Sequence, residues 1–228
     1  MKIVTVLLAL LLLCGCAGPE TTATTAGEAT ESITTIGEAT ESMTTTESKQ
    51  FSCDLVFFGD SITADSNFDE FFPELSIVNL GVYGDTLEDL LNRVDSVRAA
   101  NPEKIFLLGG INCLRPDNVE LCLEQYAALL DALGRACPDA WICVESVLPV
   151  GAELDPDGRE NDAVRRFNAG LEPLAKERGC GFADLYAAYE KNGALNPALT
   201  RDGVHLNFTA YGPWADCIAH LINADNQK

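Results

Sequence analysis

Four short segments of this 228-residue chain hold residue types that can act together on an acyl group. They are Gly59-Asp60-Ser61-Ile62, Asn79-Leu80-Gly81, Gly109-Gly110-Ile111-Asn112 and Asp202-Gly203-Val204-His205. A serine hydroxyl is a weak nucleophile and needs a neighbouring base to take its proton. Histidine suits that task because its charge changes near neutral pH. An acid beside the imidazole fixes its tautomer and stabilises its charged form. Backbone N–H groups or an Asn amide must then receive the developing oxyanion. Each segment also has a plainer explanation. Asp60 and Ser61 could cap a helix. The glycines could serve turns, Asn112 could shape a loop, and Asp202-Gly203 is a common turn pair. His205 could be structural. The four together, in this order, point to catalysis. The second histidine, His220, has no motif around it and is expected on a surface.

Ser61 in GDSI, Gly81 in NLG, Asn112 in GGIN and His205 in DGVH resemble the four blocks of the SGNH (GDSL-type) hydrolase family. The resemblance runs from Leu55 to about Trp214. It implies Ser61 as nucleophile, His205 as base and Asp202 as the residue orienting it. It also implies an oxyanion hole built from the Ser61 and Gly81 N–H groups and the Asn112 side chain. VESVLPV and DGVHLNFTAYGPWA further resemble bacterial members that act on short acyl esters, often acetyl groups on sugars. One position departs from the pattern. Cys113 stands where the family carries Asp after the Asn, and a thiol cannot supply a carboxylate's hydrogen bonds. The G-x-S-x-G elbow is absent, since Thr63 follows Ile62, which argues against the α/β-hydrolase fold.

The elements that must position these residues are legible as alternating patterns. Leu55–Phe58, Ile77–Leu80, Ile105–Leu108, Trp141–Val144 and Gly181–Leu185 predict five short strands. Between them, apolar residues recur at helical spacing: Leu87, Leu90, Leu91, Val94 and Val97; Leu121, Tyr126, Leu129, Leu130 and Leu133; Val164, Phe167, Leu171, Leu174 and Ala175. A last helix is expected over Tyr211 to Ile222. Strands alternating with helices imply a parallel sheet covered on both faces. The expected fold is therefore a three-layer α/β/α sandwich with a five-stranded parallel sheet; by the resemblance it is the flavodoxin-like SGNH fold. In such sheets functional residues gather at the carboxyl ends of the strands.

The chain before this domain differs in kind. Ile3 to Leu13 is an apolar run too short to span a bilayer, which takes ~20 residues. With Met1 and Lys2 it fits residues 1–15 as a signal peptide. Leu13-Cys14-Gly15-Cys16 resembles a bacterial lipobox and implies lipidation of Cys16. Residues 16–50 repeat TTAGEATESI, TTIGEATESM and TTTES. This Thr- and Glu-rich stretch is expected to be a disordered tether. The hydrolase domain is then 51–228, long enough for its own core. These features predict an extracytoplasmic enzyme, lipid-anchored to the bacterial cell membrane.

The formal charge is −20, from 15 basic and 35 acidic residues, which argues against a nucleic-acid partner. Outside Cys14 and Cys16 lie Cys53, Cys113, Cys122, Cys137, Cys143, Cys180 and Cys217, an odd set that leaves at least one thiol free or paired between chains. Cys113 and Cys122 bracket one loop and are the pair best placed for a bridge. Cys143 and Cys180, in apolar runs, are expected to be small buried hydrophobes. With no C-x-x-C pair and two histidines, a zinc site is not expected, and no organic cofactor is implied. The function expected is that of a monomeric serine esterase acting on short-chain esters, above all O-acetyl groups on carbohydrate. A lysophospholipase or thioesterase, and an inactive glycan-binding lipoprotein, are the alternatives.

Overall fold

The computed structural model describes residues 52–153 and 157–224. The expectations for residues 1–50 lie outside this range. Five parallel strands form one sheet: β1 (Cys53–Gly59), β2 (Ile77–Gly81), β3 (Pro102–Leu108), β4 (Trp141–Glu145) and β5 (Gly181–Ala183). Their order is β2-β1-β3-β4-β5. β1 and β3 are almost wholly buried, which explains their unbroken apolar runs, whereas edge strand β2 is only partly covered. The helices are α1 (Ser61–Ala64), α2 (Leu87–Asn92), α3 (Val94–Ala100), α4 (Val119–Ala136), α5 (Asn161–Glu177), α6 (Leu185–Tyr189) and α7 (Gly212–Ile222). Helices α2 to α5 pack in succession, while α6 packs on α7 and α7 on β5. The expected α/β architecture and strand set are therefore present. In this strand order the connections reverse direction between β1 and β3. A crevice opens at that point at the carboxyl ends of the strands.

Three elements differ from the sequence pattern. The apolar repeat from Leu87 to Val97 forms two helices instead of one, broken at Arg93. The Arg93 guanidinium turns inward over the Phe58 ring and donates to the carbonyls of Gly59 and Leu80, both at 2.7 Å. It also pairs with Asp85 at 2.5 Å. One half-buried cation thus ties together the ends of β1 and β2. The fifth strand stops at Ala183, because the Asp184 carboxylate accepts from Ala187 N–H and starts α6. A short antiparallel hairpin, β6 (Glu190–Lys191) with β7 (Ala194–Leu195), was not evident in the sequence pattern. Cys143 is buried in β4, but Cys180 lies half-exposed just before β5.

Candidate active site

Ser61 begins α1, directly after β1 ends at Gly59. The Asp60 carboxylate caps this helix by accepting from Ile62 N–H at 3.0 Å. The capping explanation of Asp60 is therefore met. At the first helical position the Ser61 N–H has no intrahelical acceptor, so it remains available. Asp60 is fully buried and its Oδ2 has no partner among the described residues. Burial raises its carboxyl to about 6, against the lowering effect of the Ile62 N–H.

His205 reaches this serine from 144 residues away, with Nε2 at 2.9 Å from Ser61 Oγ. Its Nδ1 lies 2.7 Å from Asp202 Oδ2. The other Asp202 oxygen accepts from the backbone N–H groups of Val204 and His205, at 2.9 and 2.7 Å. Partial burial pushes the Asp202 carboxyl up. The two N–H bonds and the imidazole outweigh that and hold it below the usual carboxylate range. The loop is cross-tied: Thr200 Oγ1 donates to His205 O at 2.7 Å, and Arg201 N–H donates to the same carbonyl. Gly203 O accepts from Gly151 N–H at 2.7 Å, anchoring the loop to the segment after β4. His220 is exposed on α7.

Asn112 lies in the turn after β3 and its amide donates to Asp85 O at 2.9 Å. That bond uses one of the two amide hydrogens. The turn is held by Asn118, whose side chain donates to Cys113 O and accepts from Arg115 N–H. Cys113 fills its place as a packed thiol, donating to Gly110 O at 3.3 Å. Cys113 and Cys122 are both free thiols, so the expected bridge between them is not formed. Cys113 and Cys122 nevertheless adjoin. The neighbouring Cys122 thiol holds that of Cys113 below its ordinary value, against its burial, and Cys122 is raised in turn.

Gly81 occupies a different position from the one the resemblance implied. Its N–H donates to Asn79 Oδ1 at 2.8 Å and is no longer free for an oxyanion. It is glycine because a Cβ would lie 2.2 Å from Ala64 N on α1. The next glycine, Gly84, sits in a turn at φ +82, with open space around its Cα. Its N–H has no protein acceptor among the described residues. It adjoins Asp85, the residue that anchors the Asn112 amide.

Three further residues complete the site without a motif to announce them. Asp65, one turn after Ser61, pairs with Arg201 at 2.5 Å, and the Asp65 side chain is almost wholly buried. This ion pair joins the helix of the serine to the loop of the histidine. Arg159 donates to Ile111 O, beside Asn112, and to Asp157. A cleft of about 890 Å³ opens beside the histidine, bordered by Asn112, Arg159, Lys191, Thr200, Arg201 and His205. Among the described residues no cluster of His, Cys, Asp and Glu is arranged to hold a metal ion.

Residues 57–212 match the model of the GDSL-like lipase/acylhydrolase family. No curated protein matches the chain significantly. Several solved structures are similar. A Streptococcus pneumoniae protein described as a platelet activating factor is 26% identical, with TM-score 0.68 over 77% of this chain and 86% of that one. A GDSL-like lipase from Bacteroides thetaiotaomicron is 25% identical, with TM-score 0.64 over 74% and 87%. An acetyl xylan esterase shares the fold at 21% identity, with TM-score 0.62 over 74% and 98%.

Proposed function

The chain belongs to the GDSL-like lipase/acylhydrolase family and is an ester hydrolase, and from that premise we propose that it removes short acyl groups, above all acetyl, from carbohydrate. The observation that carries the substrate class is the cleft beside His205, whose border sets Asn112, Arg159, Lys191, Asn192, Thr200 and Arg201 among short apolar stretches such as Val150, Leu195 and Pro197. Such a lining suits sugar hydroxyls, whereas a long acyl chain needs an apolar groove. The acetyl xylan esterase with this fold is consistent with a site open to acetylated sugars.

In the proposed reaction Ser61 Oγ attacks the ester carbonyl carbon as His205 Nε2 takes its proton. Asp202 holds the imidazole and stabilises its positive charge. The carbonyl oxygen becomes an oxyanion and receives the Ser61 N–H and the Asn112 amide. We assign the third donor to the Gly84 N–H in place of Gly81, because the latter is committed to Asn79. The tetrahedral species collapses, the C–O bond to the sugar breaks, and His205 returns the proton to the leaving oxygen. Water, deprotonated by His205, then attacks the acyl-Ser61 ester and releases the acid. Acetate release from acetylated xylooligosaccharides, beside a ladder of p-nitrophenyl esters from acetyl to dodecanoyl, tests this function. The acetyl ester and the glycan should be the best substrates. Preference for the long chains, or no turnover of any ester, would overturn it.

We further propose that the enzyme works outside the cell, held by lipid on Cys16. The apolar run and the Cys16 context support this. Metabolic labelling with an alkyne fatty acid should mark the wild type and not Cys16→Ser. Equal labelling of both would overturn the assignment.

A further inference from the structure

Singly exposed apolar residues are ordinary on protein surfaces. Tyr83 and Phe208 are different, because charged groups beside the reaction centre hold both of them. They are 64% and 73% exposed, the two most exposed large hydrophobic residues described. Tyr83 precedes Gly84 in the turn after β2, and its hydroxyl donates to Asp65 Oδ1. Phe208 follows His205 by three residues, and its ring lies 5.0 Å from the Arg201 guanidinium. Asp65 and Arg201 pair with each other. Asp65 N–H bonds Ser61 O at 3.1 Å, and Arg201 Nε lies 4.0 Å from Asp202 Oδ2. A connected row, Tyr83–Asp65–Arg201–Phe208, therefore runs along the rim of the candidate triad, with an aromatic ring at each end.

Keeping aromatic rings in water forgoes the gain from burying them, and here side-chain contacts also restrict both rings. Rings fixed in this way and left open to solvent fit the apolar faces of a sugar. Pyranose C–H groups stack on aromatic faces, and the sugar's equatorial hydroxyls reach polar groups at the edges. A lipid tail would require the rings to join a continuous apolar surface, and this row is interrupted by an ion pair.

We infer that Tyr83 and Phe208 form a stacking subsite for the sugar units that flank the esterified one. This rests on the carbohydrate assignment above and extends it: the natural substrate is an oligosaccharide or polysaccharide and not a single acetylated sugar. Calorimetric titration with unesterified xylotetraose, cellotetraose and chitotetraose tests the rim without any ester chemistry. At least one should bind the wild type. Tyr83→Ala and Phe208→Ala should each weaken that binding about tenfold. Tyr83→Phe, which keeps the ring and loses the bond to Asp65, should retain most of it. Circular dichroism shows whether each variant is folded. Wild type that binds none of the three, or alanine variants that bind as tightly as wild type, would overturn the inference. The kinetic counterpart is the ratio of glycan to p-nitrophenyl acetate kcat/KM, which should fall about tenfold in both alanine variants. Ring-dependent binding without acetate release would refute the deacetylase assignment and leave the rim standing. Acetate release with no dependence on the rings would do the reverse.

Discussion

The 2.9 Å contact between Ser61 Oγ and His205 Nε2 is productive only when the imidazole carries its proton on Nδ1, facing Asp202. The depressed Asp202 carboxyl keeps that acceptor charged and the tautomer fixed. In the proposed reaction Asn112 donates to the oxyanion. Its second amide hydrogen meets negative charge only as the oxyanion forms, so its effect belongs to turnover and not to affinity. Asn112→Ala should lower kcat by ~10²–10³ with little change in KM, as steady-state kinetics on p-nitrophenyl acetate would show. Full turnover in that variant would remove Asn112 from the oxyanion hole. Ser61, Asn112, Asp202 and His205 were legible in the sequence as candidates because acyl transfer demands those side chains, and the structure brings Ser61, His205 and Asp202 within hydrogen-bond reach. The glycine we assign as third donor was not legible. Gly81 ends β2 and Gly84 follows it, and only the hydrogen bond that Gly81 N–H donates to Asn79 decides which N–H stays free. A bond between a side chain and the backbone two residues away leaves no trace in a block pattern.

At the scale of elements, the sheet delivers its loops to one edge, and arginines then fix them. Arg93 ties the ends of β1 and β2, and Arg201 ties the histidine loop to α1. The strands could be read from apolar runs, since burial on both faces leaves little else to choose. The break at Arg93 could not, because Leu87 to Val97 keeps a helical period across it. The Asp65–Arg201 pair was equally hidden, as its partners lie 136 residues apart. A pair with one buried partner should couple more strongly than a surface ion pair. Arg201→Ala should reduce kcat by ~10–100-fold through misplacement of His205 relative to Ser61. A double-mutant cycle with Asp65→Asn should return a coupling of ~1–2 kcal/mol in transition-state stabilisation. Additive effects would mean that the two residues act separately.

At the scale of the molecule, the fold keeps an acid in its core. Glu145 ends β4, is 1% exposed and accepts from Trp214 Nε1 at 2.6 Å. Burial raises its carboxyl from 4.5 to about 8, against the lowering effect of that bond. Between those values the folded state holds a proton that the unfolded chain has released, so stability falls as pH rises through the window. Asp60, raised to about 6 by burial, adds in the same direction between its unfolded value near 3.8 and that point. Urea unfolding should therefore give a lower midpoint at pH 8 than at pH 5, by ~2–4 kcal/mol in stability. Glu145→Gln should flatten most of that slope. A midpoint that rises over the same range would contradict a protonated Glu145 in the fold. The central claim is that Ser61 forms the acyl-enzyme, and it is tested most directly by turnover of p-nitrophenyl acetate by Ser61→Ala. The account predicts a loss of ~10⁴–10⁶ in kcat with an unchanged circular dichroism spectrum. A folded Ser61→Ala protein that keeps a tenth of the wild-type rate would contradict it.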